Sequence, residues 1–451
     1  MGYSNYGNNQ NLVKLKTLEM KKVLVITYYW PPSGGGGVQR WLKFTKYLPE
    51  FGWEPIVYTP EIQNAPAYDK SLLKDISANL KILRTPIWEP YGIYRLFTGR
   101  KKQDNLGAAF ASGKSGNKVA EKISNWVRSN FFIPDARKFW IKPSVKFLKT
   151  YLRSNDIDAI VTTGPPHSMH LIGLKLKKLT SIKWIADFRD PWTDIDFYEE
   201  LKLTRLAHKR HLSLEKKVIE NADLVIAVSG SNRQQLMKKG DAEIKVIANG
   251  YDQDDVSDDK IVLDEKFTIA HIGTFMANRN PDLLWDVLVE LLDEDPDFKK
   301  VIELVLIGNT DASIIKDIEL KGLKKYTQIV ESVSHEEAIK YQKKSQVLLL
   351  TVNKTGDTKG MITGKIFEYL VSGRPILAIG PEDGDLANIL KETDTGVISD
   401  FNNKTKLKHH IKEYYQRFTH KNLYTKPKNT GDYSRKNLTG KLADFLNTLT
   451  T

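Results

Sequence analysis

Lys365 and Glu368 stand three residues apart in Lys359-Gly360-Met361-Ile362-Thr363-Gly364-Lys365-Ile366-Phe367-Glu368-Tyr369-Leu370-Val371-Ser372-Gly373-Arg374-Pro375. At helical spacing they share one face. A carboxylate accepts well from two vicinal hydroxyls, so Glu368 suits a ribose, while Lys365 near a helix start suits the adjoining phosphates. The same spacing also fits a solvated Lys–Glu pair, and on these residues alone the two readings stand level. Earlier in the chain, His271-Ile272-Gly273-Thr274-Phe275-Met276-Ala277-Asn278-Arg279-Asn280-Pro281 sets a glycine turn and an arginine before a helix. A guanidinium can hold two phosphate oxygens at once, which makes Gly273, Thr274 and Arg279 a candidate diphosphate clamp.

Three further segments carry candidate chemistry. Tyr28-Tyr29-Trp30-Pro31-Pro32-Ser33-Gly34-Gly35-Gly36-Gly37-Val38-Gln39-Arg40 is a strand-to-helix turn in which Gly36 and Gly37 let backbone amides approach an anion or sugar. Its glycines are contiguous and no Lys-Ser/Thr pair follows, so it is neither a dinucleotide fingerprint nor a P-loop. Thr162-Thr163-Gly164-Pro165-Pro166-His167-Ser168-Met169-His170 places His167 at a helix start, able to bond a sugar hydroxyl or simply to pack. Asp187-Phe188-Arg189-Asp190-Pro191-Trp192 offers Asp187, Arg189 and Asp190 either to an acceptor or to an ion-pair cluster that fixes a loop. No third ligand accompanies His167 and His170, so no metal site is expected.

The elements that must position these residues are legible as apolar runs alternating with amphipathic stretches, the pattern of βα units around parallel sheets. Buried strands are expected at 23–27, 55–58, 159–163, 183–186, 224–228 and 245–247, then at 267–272, 304–307, 346–352 and 375–379. An aspartate-rich stretch, 251–259, separates the two sets. The fold class is therefore α/β, with two tandem Rossmann-like doubly wound domains and a deep cleft between them, where ligands sit beyond the carboxyl ends of the strands. Residues 1–20 read as a disordered leader, 21–255 as the first domain, 256–430 as the second and 431–451 as a terminal helix.

The 451 residues contain no cysteine, which excludes disulfides, thiolate metal sites and a cysteine nucleophile. A reducing, cytoplasmic setting is expected, since neither a signal-peptide core nor a membrane span is seen. Lysine and arginine number 68 against 55 acidic residues, a net charge of +13. Residues 91–150 concentrate the surplus, with thirteen basic against three acidic residues, interleaved with Phe97, Phe110, Trp126, Phe131, Phe132, Phe139 and Trp140. Basic charge with aromatic anchors suits an anionic membrane surface at the inner face of the cell membrane; a helical insertion with a solvated basic face is the alternative. Nucleic acid is not expected, because no binding module is present.

In order and spacing, the glycine-rich turn, GPPHS, DFRDPW, Asn221-Ala222-Asp223, Ala248-Asn249-Gly250-Tyr251-Asp252, HIGTF and TGKIFEYLVSGRPIL resemble the retaining nucleotide-sugar glycosyltransferases of family 4, with the GT-B fold, in their bacterial surface-polysaccharide branch. The resemblance implies a nucleotide diphosphate-sugar, taken as a UDP-sugar, held by the second domain, and a saccharide or polyprenyl-diphosphate-linked acceptor held by the first. Glu368 matches the family's ribose-binding glutamate. Where the family has a second glutamate, eight residues earlier, this chain has Gly360, which leaves the sugar hydroxyls to the backbone of Met361, Ile362, Thr363 and Gly364. Arg279 with Lys365 would hold the diphosphate, and His167 would contact the sugar near the reacting carbon. Transfer of the hexosyl or N-acetylhexosaminyl type, with retention and without metal or cofactor, is the implied chemistry, and the terminal helix would cross back onto the first domain. The alternatives are a nucleotide-sugar epimerase of the same build, whose histidine-rich and carboxylate-rich site is not evident, and a non-catalytic nucleotide-sugar-binding scaffold. A nicotinamide-dependent enzyme is disfavoured by the first turn.

Overall fold

A computed structural model of the chain describes residues 20–65, 67–89, 118–255, 261–354 and 358–451. The leader, Phe97, Phe110 and the 91–117 part of the basic segment lie outside them.

The first domain is built on a seven-stranded, wholly parallel sheet. Its strands are β1 (Lys21–Ile26), β2 (Trp53–Pro60), β3 (Lys81–Thr85), β4 (Ala159–Gly164), β5 (Lys183–Phe188), β6 (Leu224–Ala227) and β7 (Ile244–Val246), in the order β3-β2-β1-β4-β5-β6-β7. The second sheet has six strands, also parallel: β8 (Phe267–Ile272), β9 (Ile302–Ile307), β10 (Thr327–Val330), β11 (Val347–Thr351), β12 (Ile376–Ile379) and β13 (Gly396–Ser399), in the order β10-β9-β8-β11-β12-β13. Central strands such as Val23 to Ile26 and Val347 to Thr351 are buried on both faces, as helix-covered parallel strands must be.

Each sheet reverses its strand order once, between β1 and β4 and between β8 and β11. A crevice opens at such a switch point. The loops after these four strands carry the glycine turn, GPPHS, HIGTF and the approach to TGKIFEYL.

Three strands, β3, β10 and β13, go beyond the sequence reading. β10 and β3 show mixed, partly exposed patterns because each is an edge with one neighbour. An edge strand need not be a continuous apolar run. A second correction concerns Asp187: the sequence reading ends the strand at residue 186 and leaves Asp187 in the following loop, but β5 continues through Phe188, so Asp187 pairs with Thr163 of β4 inside the sheet.

The helices that bear on the site are α1 (Gly36–Tyr47), α2 (Lys118–Phe131), α3 (Ile141–Arg153), α4 (Ser168–Thr180), α5 (Arg205–Asn221), α6 (Gly230–Met237), α7 (Asp282–Glu294), α8 (Pro296–Val301), α9 (Ala312–Leu320), α10 (His335–Lys344), α11 (Lys365–Leu370), α12 (Asp385–Thr393), α13 (Lys404–Thr419) and α14 (Arg435–Thr450). α14 leaves the second domain and packs on the first: Leu438, Leu442, Ala443 and Leu446 share a core with Val23, Trp41, Leu42 and Trp53. Trp53 Nε1 donates to Asn447 at 3.1 Å.

The chain thus crosses between domains twice, and the two crossings are paired. Tyr251 N–H donates to Tyr433 O at 3.1 Å and Arg435 N–H to Tyr251 O at 2.8 Å. Gly250 permits this approach, since a Cβ there would lie 2.2 Å from Tyr433 O. Beside the crossing, Asp252 accepts from Tyr47 Oη at 2.5 Å and pairs with Lys43 of α1.

Candidate active site between the two domains

A cavity of about 610 Å³ lies between the domains. Its first-domain wall is the start of α1, with Gly36, Gly37, Gln39 and Lys43, together with Arg189 and Asp190; the linker supplies Asn249 to Asp252 and Asp255. The second domain contributes Thr274 and Arg279, His335, Ile339, Gln342 and Lys343 of α10, and Ile362 to Lys365, Phe367 and Glu368. Arg435 closes the hinge end.

Lys365 is pinned by its surroundings. Its Nζ donates to Thr274 O and to His271 Nε2, both at 3.0 Å. His271 is buried, stacked on Phe275, and its Nδ1 lies 3.3 Å from Leu349 O, so the ring is held with Nε2 free to accept. Burial first, and then the charge of Lys365, keep this imidazole neutral. Burial and the neighbouring Arg279 in turn bring the Lys365 amine down to about 7, against the opposing pull of Glu368. Gly273, at φ +104°, is what lets the lysine lie there, because a Cβ would come within 2.8 Å of Lys365 Cε. Arg279 gives its Nε to Asn353 Oδ1 at 2.7 Å, and Asn353 Nδ2 reaches across to Asp196 of the first domain at 2.6 Å. The guanidinium is thereby aimed by a bond that spans the cleft. Glu368, one turn beyond Lys365, has Oε2 bonded by Gln342 Nε2 at 2.8 Å.

On the facing wall the first turn of α1 presents Gly36 and Gly37. Helical N–H groups there have no intrahelical acceptor and carry the positive end of the dipole. Gly37 serves a second purpose not visible in the sequence: a Cβ would sit 0.9 Å from Arg189 Nη1, so the glycine makes room for the guanidinium. Arg189 Nη2 is anchored on Pro165 O at 2.6 Å.

The structure therefore gathers Gly36, Gly37, Thr274, Arg279, Ile362, Thr363, Gly364, Lys365 and Glu368 around one space, with Arg189 and Asp190 on the same wall as the two glycines. Thr363 Oγ1 is buried there with no hydrogen-bond partner among the described residues. Four expectations need correction or restriction. Asp187 is fully buried, with both oxygens bonded to Arg40 at 2.9 and 3.2 Å and one also accepting from Trp41 Nε1 and Thr163 Oγ1, so it meets no acceptor. Met361 is not on the cavity wall; its N–H is taken by Thr358 O and its Sδ accepts from Asn353 N–H. Gly273 lies under Lys365 rather than at the wall. His167 is likewise off the wall, 8% exposed and stacked on Trp192 at 4.6 Å, with burial and then His170 holding it neutral.

Gly360 also acquires a reason. A Cβ there would lie 3.1 Å from Ser231 Cβ and 3.0 Å from Asn232 Nδ2, both in α6 of the first domain, so a side chain at this position would press on the interdomain contact, whose residues would have to give by a few tenths of an ångström. Among the described residues no three His, Asp or Glu side chains are grouped as a metal set, and no helix is long and apolar enough to cross a membrane.

The sequence comparisons divide where the two domains do. Residues 108–255 match the family model described as Glycosyltransferase Family 4, and residues 252–436 match Glycosyl transferases group 1. The chain is a glycosyltransferase of the GT-B fold.

No curated protein matches the sequence significantly, but solved structures of this glycosyltransferase fold do match in shape. TarM from S. aureus, solved as a point mutant in complex with fondaparinux, α-GlcNAc-glycerol and UDP, aligns with TM-score 0.60 at 12% identity, covering 95% of this chain and 100% of that one. HepE from Anabaena, in complex with UDP-glucose, aligns with TM-score 0.57 at 13% identity over 95% and 100%. The same fold is shared with a putative UDP-N-acetylglucosamine 2-epimerase from Listeria monocytogenes, at TM-score 0.53 and 12% identity over 95% and 96%. At these identities the likeness is one of fold.

Proposed function

We propose that this glycosyltransferase moves a sugar, of hexosyl or N-acetylhexosaminyl type, from a UDP-sugar to a hydroxyl of a saccharide or polyprenyl-diphosphate-linked saccharide, with retention, in the building of a cell-surface polysaccharide. The observation that carries the reading is the convergence of Lys365, Arg279 and the first turn of α1 on one cavity, with Glu368 one helical turn away. Lys365 and Arg279 take the diphosphate, and negative charge growing on it as the glycosidic bond breaks is met by those two cations and the amides of Gly36 and Gly37. Glu368 accepts from the ribose. Thr363 Oγ1 and the backbone of Ile362 to Gly364 face the sugar, with Arg189 and Asp190 on the acceptor side. No metal or cofactor enters this scheme.

A membrane role for the basic segment belongs to the same reading. Around α2 and the start of α3, Trp126, Phe131 and Phe139 are more than a third exposed, Trp88 packs on Phe139 at 4.8 Å, and Lys138 Nζ lies 5.3 Å from the rings of both Phe132 and Phe139. An exposed aromatic array laced with cations fits an anionic lipid surface, where the lipid-linked acceptor would be met.

Incubation with UDP- and GDP-sugars, with and without a lipid-linked saccharide, tests the reaction. Acceptor-dependent release of the nucleoside diphosphate, with an unchanged anomeric configuration in the product, is expected. An epimerised sugar without release would replace transfer by epimerisation, and tight donor binding with no turnover would make the protein a scaffold.

A further inference from the structure

Arg435 is the first residue of α14 and only 5% exposed, yet it lines the hinge end of the cavity. Its Nη1 is buried with no hydrogen-bond partner, and no ion pair to its guanidinium occurs among the described residues. The position is unfavourable three times over: a buried charge, an unpaired donor, and a cation at the positive end of a helix. Nothing in the fold requires it. The helix is capped by Ser434, whose Oγ accepts from Asn437 N–H, and the tie to Tyr251 uses only the backbone N–H of residue 435. The charged groups around the guanidinium come from every neighbouring element: Arg40 from α1, Asp252 and Asp255 from the linker, and Glu368 from α11. Burial, and then Arg40, bring it down to about 9. Costs concentrated on one side chain with no structural return mark a group waiting for a ligand.

We infer that Arg435 is a donor-binding residue, supplied by the crossing helix, which donates to the ribose hydroxyl oxygens from which Glu368 accepts. The inference rests on the donor reading above. A vicinal diol both gives and receives hydrogen bonds; Glu368 can only accept and Arg435 can only donate, so the two together satisfy both directions. The cavity supports the placement, since Arg435 and Glu368 both line it and the Glu368 carboxylate lies near enough for its charge to act on the guanidinium.

Calorimetric titration of the full chain and Arg435→Met with UDP and GDP, and then with the 2′-deoxy and 3′-deoxy forms of whichever binds, tests this. The variant should bind the nucleotide roughly 10- to 100-fold more weakly, the loss expected for a hydrogen bond to a charged donor. The wild type should discriminate against a deoxy form and the variant should lose that discrimination, while the thermal midpoint of the ligand-free variant stays equal or rises. Unchanged affinity, an equal deoxy penalty in both proteins, or a lowered midpoint would each overturn the assignment. A wild type that binds neither UDP nor GDP would overturn the donor reading itself, a separate failure.

Discussion

Lys365 is the residue whose chemistry is most open to measurement. With its amine at about 7 in the ligand-free protein, most molecules carry it neutral at pH 8, and a bound diphosphate must recharge it. Nucleotide binding at pH 8 should therefore take up close to one proton, and affinity should fall as pH rises above about 7. Titrations in two buffers of different ionisation enthalpy read the uptake directly; heat independent of buffer would refute it, and Lys365→Arg should abolish it. The stability sign is opposite to that of a paired lysine: the depressed amine costs the ligand-free fold stability below about pH 7, and the cost fades as pH climbs towards the unfolded value. Lys365 and Glu368 were legible because their spacing on one short helix already fixes their relation. Asp187 was not, because Asp-Phe-Arg-Asp reads the same whether its first carboxylate meets water or Arg40, 147 residues earlier. Arg435 was invisible for the same reason: its site is made by chain segments far away in sequence.

At the scale of elements, the Arg40–Asp187 pair joins three pieces. Arg40 of α1 holds Asp187 of β5 and also donates to Ile247 O at 3.0 Å, Ala248 O at 2.9 Å and Asn249 Oδ1 at 3.2 Å, where the chain leaves the first domain. Breaking one side leaves a buried charge unanswered. Asp187→Asn should lower unfolding stability by about 3 kcal/mol in urea denaturation, the usual size for such a loss; a change below about 1 kcal/mol would show the pair to be dispensable. Central strands such as β1 and β11 could be read from apolar runs, whereas β10, Thr-Gln-Ile-Val, could not, since an edge strand with two exposed positions has no period distinct from a loop. The switch-point loops were legible because glycine and proline punctuate them.

For the whole molecule, the exposed aromatics offer a surface test that leaves the cleft untouched. Replacing Trp126, Phe131 and Phe139 with serine should weaken sedimentation with phosphatidylglycerol vesicles by roughly tenfold or more, because apolar insertion is lost while most of the basic charge remains. Undiminished binding would assign the attachment elsewhere. The return of α14 carries a different consequence, for the moment of synthesis. Leu438, Leu442, Ala443 and Leu446 complete a core in which Trp41 and Trp53 leave the ribosome nearly four hundred residues sooner, and the Trp53–Asn447 bond spans 394 positions. Throughout translation of the second domain, the nascent first domain must carry an apolar groove open to water, the kind of surface that a chaperone shields and that aggregation exploits.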